Sequence, residues 1–253
     1  MKNKKIVIAA AAILIVISGA IYYVYDGLTG NHVEIESVIA QSPAEDGSTE
    51  VSGSAGEGMA TETATGAGNE SNGAGAGAGE AAGVDGTWTI GSDSKVYFSV
   101  TTSRDTVNYK LDKVMGSWII NSADPAQTKA EGTVDVTSMD SGNSQRDQHI
   151  SEAEYLDTAQ FPNATFNVTS FEGLPAEWKS GEAYDVSITG ELTVKGITKE
   201  VVFTGQTVYD QGSLKLEAST VVTFGDFGMK NPHTVIMDTE NNLTVELRLV
   251  LSK

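Results

Sequence analysis

The sequence predicts an all-β domain, an antiparallel sandwich or barrel, behind an N-terminal apolar helix and a glycine-rich acidic linker. Three observations lead to this: an uncharged N-terminal run, a long stretch without basic or aromatic residues, and a repeated two-residue alternation after it. They divide the 253 residues into a membrane anchor at 1–25, a linker at 26–83 and a folded domain at 84–253.

The N-terminal segment has the length and composition of a membrane span. Residues 6–25 contain no charge, and a helix of that length spans about 30 Å, the hydrocarbon thickness of a bilayer. Lys2, Lys4 and Lys5 precede it, so the positive-inside rule keeps the N-terminus cytoplasmic and places the rest of the chain outside. We interpret the segment as a retained signal-anchor of a single-pass cell-membrane protein. The alternative is a signal peptide cleaved near Ser18-Gly19-Ala20, which would release a secreted domain.

The linker has the composition of a disordered spacer. Residues 26–83 hold ten acidic residues, 13 glycines, no Lys or Arg and no aromatic residue. Such a segment buries too little apolar surface to offset its conformational entropy, so we expect disorder and a reach on the order of 40 Å. Residues 33–40 are more apolar than the remainder, but the sequence assigns them no role.

Charge and cysteine content exclude several classes of function. Residues 84–253 carry 24 acidic and 13 basic side chains and every Trp and Phe of the chain. An acidic domain repels phosphate backbones, so nucleic acid is excluded as a partner. The absence of cysteine excludes disulfides, thiolate catalysis and cysteine metal ligands.

Apolar and polar residues alternate repeatedly after residue 84, as in strands with one dry and one wet face. The alternating segments are 184–194, 214–222 and 243–251, with shorter runs around Phe98, Val134 and Phe166. Turn residues separate them, and helical periodicity is absent except in residues 149–158. Seven or eight such strands with short connections predict an antiparallel sheet closed into a sandwich or barrel.

A set of short motifs resembles the signature of one family. Arg146-Asp147-Gln148-His149-Ile150, then Tyr155-Leu156-Asp157, Phe161-Pro162 and Thr165-Phe166, is similar to the RDxHL…FxD…YP…TF pattern of the YceI-like family. Trp88-Thr89-Ile90, residues 190–199 and Asp226-Phe227-Gly228-Met229 resemble its flanking motifs in the same order, so the resemblance covers about residues 86–252.

The resemblance implies a lipocalin-like antiparallel β-barrel of about eight strands with a short helix and a long apolar cavity. Members of the family bind amphiphiles with long hydrocarbon tails, such as polyisoprenoids or fatty-acid derivatives, and are typically periplasmic or secreted. Many members carry Arg two residues before the D-F-G motif, where this chain has Phe224. If that Arg holds a polar headgroup, this protein prefers a less charged or different ligand.

The inward face of the strands supplies the candidate ligand-binding residues, for each of which ordinary core packing is the competing interpretation. They are Phe98, Val100, Trp118, Val136, Phe166, Val168, Tyr184, Ile188, Leu192, Phe203, Leu216, Val222, Phe227, Leu247 and Leu249.

Arg146, Asp147 and His149 form the family motif and are interpreted as structural or pocket-rim residues. Asp147 is expected to cap a short helix and pair with Arg146, while His149 bonds a backbone carbonyl and closes one end of the barrel. A hydrolase would need an oriented nucleophile, and a metal site would need more ligands than these. No catalytic residue, metal ligand or cofactor is assigned.

Three classes of function remain after the sequence analysis. The favoured hypothesis is a binding protein, with a long-chain lipid or isoprenoid as ligand and the membrane reached through the N-terminal helix; a homodimer is left open. The second is an envelope stress or interaction module with a packed barrel that binds another protein, and the third is a lipid-modifying enzyme. Cavity volume discriminates between the first two, because ligand pockets usually enclose several hundred Å³.

Overall fold

The computed structural model describes residues 33–39, 83–232 and 238–253. The predicted membrane helix and most of the predicted linker therefore lie outside the described residues, and both stay predictions. Within the part of the chain that is described, no helix is long and apolar enough to cross a bilayer.

The described residues form ten strands and one α-helix in the order β1–β5, α1, β6–β10. The strands are β1 (Gly86–Ile90), β2 (Lys95–Thr102), β3 (Thr106–Leu111), β4 (Val114–Ile120), β5 (Lys129–Asp135), β6 (Asn163–Glu172), β7 (Ala183–Val194), β8 (Ile197–Asp210), β9 (Ser213–Thr223) and β10 (Thr239–Ser252), and the helix α1 is Ser144–Ile150.

Eight of these strands close into an antiparallel barrel, which confirms the predicted architecture. The ring runs β1-β4-β5-β6-β7-β8-β9-β10 and closes where Ile90 of β1 pairs with Leu251 of β10. The hairpin β2–β3 pairs with the other part of β10 and extends the sheet. Lys110 of β3 exchanges two backbone hydrogen bonds of 2.9 Å with Asp140, which joins the hairpin to the chain that follows β5.

The alternation in the sequence specifies most of the inner wall. In β10, Leu243, Leu249 and Leu251 are buried as predicted. Two segments depart from the pattern. A bulge in β6 between Val168 and Ser170 shifts the register, and β5 ends before Val136, which begins a 3-10 turn. Val136 still points inward and is buried.

The short helix begins earlier than the helical periodicity suggested. Its N-cap is Asn143, whose side-chain oxygen accepts hydrogen bonds from the amides of Gln145 and Arg146. The prediction that Asp147 caps the helix is therefore wrong, since the amides of the first turn already have this partner. After Ile150 the chain continues in turns rather than in helix.

Part of the predicted linker departs from the expected disorder. Residues 33–39 lie against the outside of the barrel without forming a strand, and Val33 is buried there. The rest of 26–82 lies outside the described residues, so its disorder stays a prediction.

Candidate functional site: an apolar cavity in the barrel

The barrel encloses a cavity of about 150 Å³ that is lined by residues of all ten strands. β1, β3, β8 and β9 contribute one residue each, namely Ile90, Leu111, Phe203 and Val222. Apart from Glu131, Thr133 and Thr165, the lining side chains are aliphatic, aromatic or that of Met229. A cavity with this lining offers almost no hydrogen-bonding group, so it suits a hydrocarbon and not a polar molecule.

Two pairs of aromatic rings pack in and behind the cavity wall. Phe166 and Phe203 meet edge to face, with their centroids 5.0 Å apart, and Trp118 contacts Phe171 at 5.3 Å. Such aromatic pairs add to the stability gained from burial alone.

Thirteen of the fifteen predicted ligand-binding residues line the cavity: Phe98, Val100, Trp118, Val136, Phe166, Val168, Ile188, Leu192, Phe203, Val222, Phe227, Leu247 and Leu249. Their contact with a ligand stays a prediction.

Tyr184 and Leu216 do not line the cavity. Leu216 is fully buried, and it packs in the core cluster that contains Trp88. Tyr184 packs edge to face on Trp178 at 5.5 Å, and its hydroxyl accepts a hydrogen bond of 3.1 Å from the Lys179 amide. An inward position therefore buries a side chain without necessarily exposing it to the cavity.

Several lining residues that sequence reasoning missed lie outside the strands. Ile150 ends α1, Tyr155 and Leu156 follow it in turns, and Phe224 and Met229 belong to the connection after β9. They pack with Phe227 and other apolar residues at one end of the barrel. Strand alternation gives no signal for such residues. Their signal is the presence of large apolar side chains within or beside the family motifs.

Arg146 and Asp147 both hold Ser141, which is fully buried. An Asp147 carboxylate oxygen accepts from the Ser141 amide at 3.0 Å and from its hydroxyl, while Arg146 Nη2 donates to the Ser141 carbonyl at 2.9 Å. Burial raises the pKa of nearby Tyr109, and the neighbouring Arg146 partly opposes this effect. These contacts fix the chain in front of α1, and neither motif residue lines the cavity.

His149 lies at the surface beside a residue of the cavity wall. Its side chain is 54% exposed, Nδ1 lies 3.5 Å from a Glu152 carboxylate oxygen, and the ring packs edge to face on Tyr155 at 4.7 Å. The histidine lies on the solvent side of a helix that turns Ile150 inward, and its role at the rim of the pocket stays a prediction. Among the described residues, no three His, Cys, Asp or Glu side chains gather as metal ligands.

Phe224 begins the 3-10 turn Phe224–Phe227 and is 4% exposed on the cavity wall. A reciprocal cap holds this turn: the Thr223 side chain accepts from the Asp226 amide, and the Asp226 carboxylate accepts from the Thr223 amide and hydroxyl. Hydrogen bonds from the Thr223 side chain and amide lower the pKa of Asp226. The D-F-G motif therefore fixes a turn that points two rings into the barrel.

A closed antiparallel barrel with an apolar interior is the architecture of a small binding barrel. The family model for the YceI-like domain matches residues 88–251, and the chain belongs to the YceI-like family. This confirms the resemblance carried by the motifs.

Relatives and solved structures agree with this assignment. Protein YceI of Escherichia coli O157:H7 is 38% identical over 86 residues, which are 34% of this chain and 41% of that protein. Protein YceI of Salmonella newport is 33% identical over 107 residues, 38% of this chain and 52% of that protein. The matches thus span about two fifths to one half of these curated relatives.

Two solved structures share the fold. BcnA of Burkholderia cenocepacia has a TM-score of 0.53 and 21% identity, covering 62% of this chain and 95% of that one. A polyisoprenoid binding domain from Saccharophagus degradans has a TM-score of 0.53 and 13% identity, covering 65% and 97%. At these identities the likeness establishes the fold alone.

Proposed function

We propose that this protein is a non-enzymatic, membrane-tethered binding protein of the cell envelope, which holds a polyisoprenoid or fatty-acid derivative in its barrel outside the cytoplasm. The almost wholly apolar lining of the barrel interior carries the proposal. The polyisoprenoid binding domain of Saccharophagus degradans, which shares the fold, supports it. The tether and the location rest on the sequence of residues 1–25.

The energetics favour a long hydrocarbon chain. Each methylene that leaves water contributes about 0.8 kcal/mol, so a tail of some twenty carbons gains enough to offset the cost of ordering it. The cavity of about 150 Å³ is small for such a tail. Binding of a tail of that length therefore requires side chains of the lining to move.

A fluorescent fatty acid tests the proposal. Parinaric acid is titrated into the full-length wild-type chain, an Ala164→Phe variant that fills the cavity, and a Val221→Phe variant on the outer wall. We expect uptake by the wild type and Val221→Phe and a loss of roughly tenfold or more in affinity for Ala164→Phe. Thermal unfolding shows whether each variant is folded. Equal uptake by all three chains contradicts the proposal, since it places the probe elsewhere.

Phe224 narrows the proposed ligand to one with an uncharged end group. Where many family members carry a cationic arginine, this chain places a buried ring on the cavity wall. Burial of an unpaired charge beside that ring is costly, so an isoprenoid alcohol should displace parinaric acid better than the matching carboxylic acid. A Phe224→Arg variant should reverse the order. If the wild type binds the carboxylic acid more tightly than the alcohol, the assignment of an uncharged end group is wrong.

The small cavity volume favours one alternative, a packed barrel that binds another envelope protein. Ligand pockets usually enclose roughly 300–1,000 Å³, well above the volume here. Native mass spectrometry of the gently purified full-length chain, followed by organic extraction, separates the two functions. Co-purified lipid supports the binding barrel, whereas an empty chain that also refuses both parinaric acid and an isoprenoid alcohol supports the packed one.

A further inference from the structure

One strip of the outer wall is buried instead of facing water. Val96 and Phe98 line the cavity, so Tyr97 between them points outward, yet Tyr97 is fully shielded from solvent. Ser99 and Asn108, a cross-strand pair on β2 and β3, are also buried polar residues. The outer face of an antiparallel barrel normally contacts water, so a buried strip requires a cover. Residues 33–39, named here the strap, cover this strip.

The first half of the strap is bonded to the hairpin β2–β3. The Asn108 side-chain amide donates to the Val33 carbonyl at 2.9 Å, while its oxygen accepts from the Ser99 hydroxyl at 2.9 Å. The Glu36 amide donates to the Tyr97 hydroxyl at 3.4 Å. The backbone of the strap thus provides part of the hydrogen bonding that the buried Ser99–Asn108 pair requires.

The second half of the strap is held by one carboxylate. Oε1 of Glu217 accepts three hydrogen bonds, from the Ser37 hydroxyl at 2.6 Å and from the amides of Val38 and Ile39 at 2.6 and 2.7 Å. Its other oxygen, Oε2, lies 3.8 Å from Nε of Arg248. Hydrogen bonds to an ionised acceptor are stronger than those between neutral groups, and two of these three are donated by backbone amides of the strap.

A third contact adds charge complementarity. Glu36 of the strap forms an ion pair with Lys95 of β2. Since Glu36 is exposed in this pair, its contribution is small beside that of the Glu217 bonds.

The strap runs diagonally across four neighbouring strands. β3, β2, β10 and β9 lie side by side in the sheet, and their pairings place Asn108 of β3 level with Val221 of β9. Glu217 therefore lies three strands across from Asn108 and four residues along β9, a separation of roughly 19 Å. The five residue steps from Val33 to Val38 span at most about 17 Å, and the side chains of Asn108 and Glu217 cover the remaining distance.

We propose that this strip, formed by Lys95, Tyr97, Asn108, Glu217 and Arg248, is a peptide-binding site whose ligand is the chain's own strap. The barrel is then attached to the N-terminal part of the chain at residue 33 as well as at residue 84. With the predicted membrane helix ending at Tyr25, the eight steps to Val33 span at most roughly 29 Å. That distance, and not the reach of the whole linker, limits how far the barrel moves from the bilayer.

Hydrogen exchange on the full-length chain tests the proposal at single amides. In the wild type the Val38 and Ile39 amides should exchange slowly, and Glu217→Ala should speed them roughly tenfold or more. Glu200→Ala removes an exposed glutamate of β8 and should leave both rates unchanged. Amides of β7, measured in the same spectra, report whether the barrel stays folded.

Two results would overturn the proposal. Wild-type Val38 and Ile39 amides that exchange as fast as in an unfolded peptide would show that the strap does not bind the wall. Protection that falls when the protein is diluted tenfold would show that the strap of a second copy occupies the site. Protection that is independent of concentration and lost in Glu217→Ala supports the strap as an intramolecular ligand.

Discussion

Two patches of the outer wall follow the same strand alternation and have opposite environments. On β2, Tyr97 points outward and is completely buried beneath the strap, whereas on β8 the outward Val202 is 45% exposed. Nothing in the local pattern separates the two residues, since each stands between inward apolar neighbours. The alternation thus specifies which side of the wall a residue faces, whereas a segment distant in sequence determines whether that side contacts water.

The largest loss of stability should come from a substitution in the inner wall, which serves as the reference for the two outer patches. Phe203 is 1% exposed and packs on Phe166, so Phe203→Ala removes a ring and leaves a larger cavity. We expect a loss of about 3–5 kcal/mol in the free energy of unfolding, measured by urea denaturation of the full-length chain. A loss below about 1 kcal/mol would show that the interior is not packed around this ring.

Tyr97→Ala should behave like a core substitution although its site is on the outside. We expect a loss of about 2–3 kcal/mol, because the ring is shielded between the wall and the strap. In a Glu217→Ala background, where the strap is loosened, the loss should shrink, and a double-mutant cycle measures this coupling. Strictly additive losses would mean that the strap does not cover the tyrosine.

Acid should loosen the strap before it unfolds the barrel. Burial acts to raise the pKa of Glu217, but the bonds from Ser37, Ile39 and Val38 and the charge of Arg248 outweigh it, so the net shift is downward. A carboxylate with a lowered folded-state pKa stabilises the docked strap above its unfolded pKa of about 4.3, and that contribution is lost as the pH falls through the folded value. Exchange at the Val38 amide should therefore be unchanged from pH 7 to 5 and, after correction for intrinsic rates, faster below about pH 4. A Glu217→Gln variant should lack this transition.

The smallest change in stability should come from the uncovered patch of the outer wall at Val202. Val202→Thr keeps a β-branched side chain on an exposed strand position, so the free energy of unfolding should change by no more than about 0.5 kcal/mol. A larger loss in the same urea titration would indicate that this patch is covered as well, and the comparison with Tyr97 would no longer hold.

Local sequence patterns were sufficient to predict the strands and most of the inner wall. Side chains in a strand alternate between two faces, so period-two patterns such as those of β7 and β10 specify which residues point inward wherever the register is regular. This is why thirteen of fifteen predicted residues line the cavity. The family motifs identified the domain because their residues hold turns locally, as Asp226 does with Thr223.

Features that depend on contacts between distant residues could not be predicted from the sequence. The β6 bulge after Val168 changes the alternation and lets Phe171 pack against the core, and the turns after α1 and β9 bring Tyr155 and Phe224 to the cavity. Ser37 and Glu217 are 180 residues apart in sequence. Their hydrogen bond forms only because the sheet places β9 next to β10, which in turn pairs with β2. Composition placed residues 33–39 in a disordered linker, since local composition carries no information on a binding site formed by four strands that follow later in the chain.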